Sequence, residues 1–270
     1  MAGSIERIEQ EMKALGEAIA TLAAEFHNIY SSYLASLGQA VRQQLILASY
    51  HICTHAYPES FLNLSFAQRQ QLQKAMRQVA FQAQEQLFSH LLASITPQTP
   101  FSSAPAPIDA PDVARDVPTL HLSNPEQLAQ WQENLEMAIA QTLQTLSLNI
   151  NRLLQQAEIL PNQVPEAILE AAAKAEASPE GIAGPPNILN LLIERENPQE
   201  SEESTVTHII ALQLRLSEIE FADSTVMAGR NQIRHLSSRL SSLRREYQKK
   251  QREHTVAEAE AAWRVSWFDD

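Results

Sequence analysis

Apolar residues recur over the first thirty-odd positions at alternating steps of three and four: Ile5, Ile8, Met12, Leu15, Ile19, Leu22, Phe26, Ile29 and Tyr33. That period of 3.5 is the seam of a coiled coil. It predicts a helix from about Ser4 to His51 that needs an apolar partner along its length. Beyond Tyr33 the steps lengthen to four, at Leu37, Val41 and Leu45, which rotates the stripe round the helix. Tyr57-Pro58 breaks the pattern, because proline lacks an amide hydrogen and restricts the residue before it. Ser65 and Gln68 then have the spacing of a capping box. They open a second stripe at Leu72, Met76, Val79, Ala83, Leu87, Leu91 and Ile95. Two long helices with a short break between them predict an antiparallel helical hairpin over residues 1–95.

The pattern stops at Thr96. From Thr96 to Pro118 six prolines fall among Ser, Thr, Ala and Asp, so residues 96–118 are expected to form a disordered linker and a boundary. In the segment 119–204, Ser123-Asn124-Pro125-Glu126 gives three agreeing helix-start signals. Leu128, Trp131, Leu135, Ile139, Leu143, Leu146, Ile150 and Leu153 carry that helix to about Ala157. A short Ala-rich helix is expected from Pro165-Glu166 to about Ala177. Asn187–Ile193 is expected as a brief apolar helix or docking segment, followed by an acidic loop from Glu196 to Ser204. Residues 205–270 are expected to form one long basic helix, with Ile209, Leu212, Leu216 and Ile219 in heptad register. Asp223 and Arg230 interrupt its core positions before Ile233, Leu236, Leu240, Leu243 and Tyr247 resume. Buried polar residues in such a seam fix register at a cost in stability. The fold class this predicts is all-α, with long amphipathic helices, an N-terminal hairpin and a long C-terminal coiled-coil-like helix joined by the Pro-rich linker.

Composition agrees. There are only 6 glycines in 270 residues, too few for the turns of an all-β or open α/β fold, while Ala, Leu, Gln, Glu and Arg suit helices. A single cysteine, Cys53, cannot form an internal disulfide. With no secretory leader and no apolar run of membrane-spanning length, the expected location is the cytoplasm. The net charge of −12 is unevenly placed. Arg230, Arg234, Arg239, Arg244, Arg245, Lys249, Lys250 and Arg252 stand against Glu246 alone, so residues 230–252 carry +7 and the rest −19.

Chemistry-bearing patterns are few. His51, Cys53 and His55 are the one ligand-like group. On a helix the two histidines share a face and Cys53 points nearly opposite, so the bland reading is a helix C-terminus with histidines beside its last carbonyls. Carboxylates such as Glu158, Glu166, Glu170 and Glu176 read as exposed helix faces. No Glu-x-x-His pair of a helical di-iron site, phosphate loop or nucleophile elbow occurs. The basic stretch 230–252 either neutralises phosphates of a nucleic acid or anionic membrane surface, or complements acidic helix faces. Trp263 and Trp267 lie four apart with Phe268 beside them. They either pack back on the chain or dock into a partner.

Two stretches, Gly38-Gln39-Ala40-Val41-Arg42-Gln43-Gln44-Leu45-Ile46-Leu47-Ala48-Ser49-Tyr50-His51 and Ala257 to Trp267, resemble a cyanobacterial family of helical proteins with no assigned activity. The resemblance implies a bacterial cytoplasmic protein and carries over no site residue. The sequence thus points to a non-enzymatic scaffold or adaptor without catalytic residues, metal or cofactor. It would engage protein partners, a second copy among them, through Leu15, Leu22, Phe26, Trp263, Trp267 and Phe268. The alternative is a nucleic-acid or membrane-surface binder using the basic stretch.

Overall fold

A computed structural model describes residues 2–93, 123–161, 185–195 and 205–267. Among them are six α-helices and one β-hairpin, so the all-α class holds. The order is α1 (Ala2–His51), a π-helical turn (Ile52–Ala56), α2 (Pro58–Asn63), α3 (Phe66–Ala93), α4 (Pro125–Gln156), β1 (Ile188–Arg195), β2 (Thr205–Leu212), α5 (Leu216–Ala222) and α6 (Ser224–Trp267). The Pro-rich linker 96–118, the Ala-rich helix expected at 166–177, the acidic loop 196–204 and Phe268 lie outside the described residues.

The predicted helix starts are built as their chemistry requires. The Ser65 N–H donates to Gln68 Oε1 at 2.8 Å and the Gln68 N–H donates to Ser65 Oγ at 3.3 Å, the reciprocal bonds of a capping box. Pro125 opens α4, and the Glu126 N–H donates to Asn124 Oδ1 at 2.9 Å. Pro58 opens α2, while the Tyr57 N–H reaches back five residues to the Ile52 carbonyl at 2.9 Å. That bond closes the π turn.

Two expectations are corrected. Asn187–Ile193 is not a helix, and residues 205–270 are not one helix. Ile188–Arg195 and Thr205–Leu212 pair as an antiparallel hairpin, with Ile188 opposite Leu212 and Arg195 opposite Thr205. Short apolar runs do not distinguish strand from buried helix by periodicity alone, and Val206, Ile209 and Ile210 are β-branched residues that favour the strand. Asp223, read as a polar core position, is the cap of α6. Its Oδ1 accepts the N–H groups of Thr225 at 2.8 Å and Val226 at 3.2 Å.

The chain divides into two compact units. The first takes Met1–Ser32, His90–Glu136 and Gly229–Asp270. Its core is Ile19, Leu22, Phe26, Tyr30, Leu128, Trp131, Leu135, Ile233, Leu236 and Leu240. Trp131 meets the rings of Phe26 and Tyr30 edge-on, at centroid distances of 6.4 and 5.6 Å. The partner that the N-terminal seam demands is therefore supplied within the chain.

The second unit takes Tyr33–Ser89 and Met137–Ala228. Tyr33, Leu37, Val41, Leu45, Leu87, Ile139, Ile150, Ile209 and Ile219 are among its buried residues. Here α3 passes so close to α1 that a Cβ on Gly38 would lie 2.7 Å from Gln84 Cγ. The helix-weakening glycine thus permits a close approach.

Candidate functional site

Most of the inward charge of α6 is complemented by the chain itself. Arg230, nearly buried, donates from both terminal nitrogens to Glu136, at 2.6 and 3.0 Å. The Tyr30 hydroxyl donates to the same carboxylate at 2.6 Å. Burial first, and the Glu136 charge second, push the Tyr30 phenol well above its ordinary range.

Further along the helix, Arg239 pairs with Glu25. Arg244 Nε donates to Glu126 at 2.7 Å, and Lys250 Nζ lies 2.7 Å from Glu11 and 2.9 Å from Glu253. The bond from Arg244 holds the Glu126 carboxyl below the usual carboxylate range, and the bonds to Glu11 and Glu253 raise Lys250. Rising numbers on α6 meet falling numbers on both α1 and α4, so α6 runs antiparallel to each. Arg234, Arg245, Lys249 and Arg252 lie on exposed positions. Among the described residues, Lys249 has an acid near it, Glu253 at 4.0 Å.

The far end of α6 is different. From Thr255 to Trp267 every described side chain except Ala257 is exposed. Trp263 and Trp267 stack on each other, centroids 5.6 Å apart and planes 26° from parallel. They remain 66% and 70% exposed. Val256, seven residues before Trp263, is half exposed on the same side. The pairings Glu25–Arg239, Glu11–Lys250 and Glu9–His254 place the contacts of α6 with α1 before this stretch.

The other sequence candidates fall elsewhere. Leu22 and Phe26 are fully buried and Leu15 is half-buried, so the apolar surface of the first two is spent inside the first unit. His51 and His55 stack at 4.8 Å across the π turn. Burial, then the neighbouring His55, lowers the His51 pKa, and burial lifts the Cys53 thiol to about 11. A thiol held protonated is a poor nucleophile and ligand. Among the described residues no three His, Cys, Asp or Glu converge as a metal site. No helix there is long and apolar enough to cross a membrane.

Sequence reasoning missed a polar node in the second unit. Asn187, fully buried with φ of 62°, uses every polar group it has. Its N–H donates to the Glu218 carboxylate and its carbonyl accepts from the Gln213 N–H at 3.0 Å. Its Oδ1 accepts from the Arg215 N–H at 3.0 Å and its Nδ2 donates to Gln44 at 3.1 Å. Left-handed backbone is least costly for Asn among residues with a side chain. The Pro-Pro-Asn turn before an apolar run was the available signal. Asn151 and Ser147, one turn apart on α4, are also buried and bind the end of β2. Asn151 bonds both the N–H and the carbonyl of Leu212 at 2.9 Å, and Ser147 Oγ accepts the Leu214 N–H at 2.9 Å.

No family model, curated protein or solved structure matches this sequence.

Proposed function

We propose that this chain is a non-enzymatic helical scaffold that docks a helical protein partner through the unpacked end of α6. The observation that carries the reading is the stacked, solvent-facing pair Trp263 and Trp267 on a helix that continues beyond its own packing. Two large aromatic rings left in water are costly for a free protein, and aromatic residues are the side chains that most often anchor interfaces. The stripe Val256, Trp263 and Trp267 suits an apolar helical groove, in which side chains about a turn apart share one face. The ion pairs made by Arg230, Arg239, Arg244 and Lys250 favour the internal role for much of the basic stretch over a phosphate-binding one.

The double change Trp263→Ala and Trp267→Ala tests the reading. The melting temperature of the isolated protein is expected to stay within a degree or so, since a half-exposed ring contributes far less than the 3–5 kcal/mol of a buried one. Binding of the partner captured from the source cell is expected to fall about thirtyfold or more, the range of an interface hot spot. A large drop in melting temperature with the captured partner still bound would assign the rings to the protein's own packing.

A further inference from the structure

The cations of α6 that the chain leaves unused are not scattered round the helix. At 3.6 residues per turn, Arg234, Arg245, Lys249 and Arg252 fall within about 60° of one another, and all four are exposed. Arg234 bonds Asn231 Oδ1 at 3.4 Å and Arg245 bonds the Ser241 carbonyl at 3.2 Å, both on α6 itself. Among the described residues no carboxylate pairs with these two arginines or with Arg252, and Lys249 has only the weak contact with Glu253 at 4.0 Å. The arginines that do pair, Arg239 with Glu25 and Arg244 with Glu126, reach α1 on one side and α4 on the other. The unused row therefore lies on the ridge of α6 turned away from both helices.

The same ridge carries the apolar end. Val256, Trp263 and Trp267 fall in the same sector of about 60°, and all three are exposed. From Arg234 to Trp267 the ridge runs about 50 Å at 1.5 Å per residue. It is basic as far as Arg252 and apolar from Val256 on. Its margins are acidic. Glu246 and Glu253 lie beside it on the α1 side, and Glu126 of α4 lies on the other, bonded by Arg244 and Gln248.

We infer that the helical partner docked at the tryptophan end continues along this ridge and meets it with a single row of carboxylates. The inference rests on the docking reading above and adds the partner's chemistry, acidic residues on one stretch of a helix face and apolar residues on the next. Charge and width decide the occupant. Guanidinium and ammonium groups without carboxylate partners call for anions. A phosphate surface, whether lipid headgroups or a nucleic acid, is broader than the row and would set its charge against Glu246, Glu253 and Glu126 as well. The net charge of −12 adds to that repulsion. A helix about 10 Å across, with carboxylates at steps of three and four, meets the cations and clears the acidic margins. Exposed pairs of this kind set the encounter rate and the register, while the tryptophans supply the hold.

The test uses the full chain and the protein that it captures from the source cell and loses on Trp263→Ala plus Trp267→Ala, purified as the binding probe. Arg234→Glu, Arg245→Glu and Arg252→Glu together are expected to keep the melting temperature and to slow association with that protein at least about tenfold. The same three positions changed to Gln add no new charge and are expected to give a smaller loss in the same direction. Wild-type association is expected to slow toward the variant's rate in about 1 M salt, where the screening length is near 3 Å. Zero-length coupling of amines to carboxyls is expected to join Lys249 to an Asp or Glu of the partner.

A partner released by the tryptophan change but indifferent to the arginine changes and to salt overturns the carboxylate row and leaves the docking reading standing. A capture that the tryptophan change does not alter overturns the docking reading and this inference with it. Binding of the wild-type chain to single-stranded DNA or to phosphatidylglycerol vesicles, lost on the arginine changes, overturns the protein occupant in favour of a phosphate surface.

Discussion

The two units solve the same problem, a polar group inside a packed core, in opposite ways. In the first, side chains bond to side chains: Tyr30 and Arg230 both meet Glu136, and Gln132 donates to Ser237 Oγ at 2.6 Å. In the second, side chains also bond to backbone: Asn151, Ser147 and Tyr57 serve β2, and Asn187 serves the segment leaving it. The difference follows from secondary structure. A helix satisfies its own backbone N–H groups except at its ends, so buried polar side chains on three helices find their partners mainly in one another, although Ser237 Oγ also donates to the Ile233 carbonyl at 2.9 Å. A two-stranded hairpin leaves half its backbone groups facing outward, and burying any of them demands a side-chain partner.

One substitution in each unit tests the difference. Asn151→Leu keeps volume but orphans the buried N–H and carbonyl of Leu212, at about 1–3 kcal/mol each, so a loss of about 3–4 kcal/mol is expected. Glu136→Gln keeps shape but removes the charge that faces Arg230. A fully buried pair would cost about 3–5 kcal/mol to break. Glu136 is partly exposed, so about 2 kcal/mol is expected. Urea unfolding with an unchanged m-value measures both. If Asn151→Leu costs less than Glu136→Gln, water serves the outer edge of β2 and the two units do not differ in this way.

Alkaline pH sharpens it further, because each unit holds a group whose folded pKa is raised. Tyr30 in the first unit is raised above 10, and Cys53 in the second is raised from 9.0 to about 11, both chiefly by burial. A raised folded pKa means the unfolded chain gives up its proton first. The stabilisation is therefore complete below the unfolded value and is lost as pH climbs toward the folded one. For Cys53 the loss amounts to about 2–3 kcal/mol between pH 9 and 11. Cys53→Ala is expected to flatten that stretch of the stability curve, and Tyr30→Phe the stretch above pH 10. Chemical unfolding repeated across pH 7 to 11 reads both slopes. Curves that coincide with wild type would show that neither group titrates in place.

What the sequence made legible was whatever depends on periodicity and local capping. The Ile19, Leu22 and Phe26 seam, the Ser65–Gln68 box and the start at Pro125 all appear where spacing placed them, since each is decided within one or two helical turns. The hairpin was illegible because Ile188–Ile193 is an uninterrupted apolar run apart from Asn190. Its strand character comes from pairing with residues some twenty positions away. Asp223 looked like a polar intruder in a continuous seam only because the helix was taken to begin too early. Of the candidate site, the closeness of Trp263 and Trp267 was readable at their spacing of four. Their exposure was not, because spacing along one helix does not show what packs against it.

The smallest expected effect belongs to the exposed pair Arg244 and Glu126, and it separates electrostatics that tune a group from electrostatics that hold a fold. Glu126 sits in the first turn of α4, where unpaired amide groups already favour a carboxylate. Arg244 and Gln248 add direct bonds, at 2.7 and 2.8 Å, and the Arg244 bond is the main cause of the lowered Glu126 pKa. Arg244→Ala removes that cause and leaves Gln248 and the helix end in place. The Glu126 titration, followed by its side-chain carboxyl resonance, is therefore expected to move only part of the way up to the ordinary carboxylate range. A depressed folded pKa contributes stability above the unfolded value and loses it as pH falls. Any difference between variant and wild type is therefore largest at pH 7 and vanishes in acid, and even at pH 7 it is expected to be small, because an exposed pair in water is screened and its side chains lose freedom in forming it. A clear fall in melting temperature at pH 7, persisting in about 1 M salt where the screening length is near 3 Å, would show instead that this surface pair works like the buried Arg230–Glu136 pair.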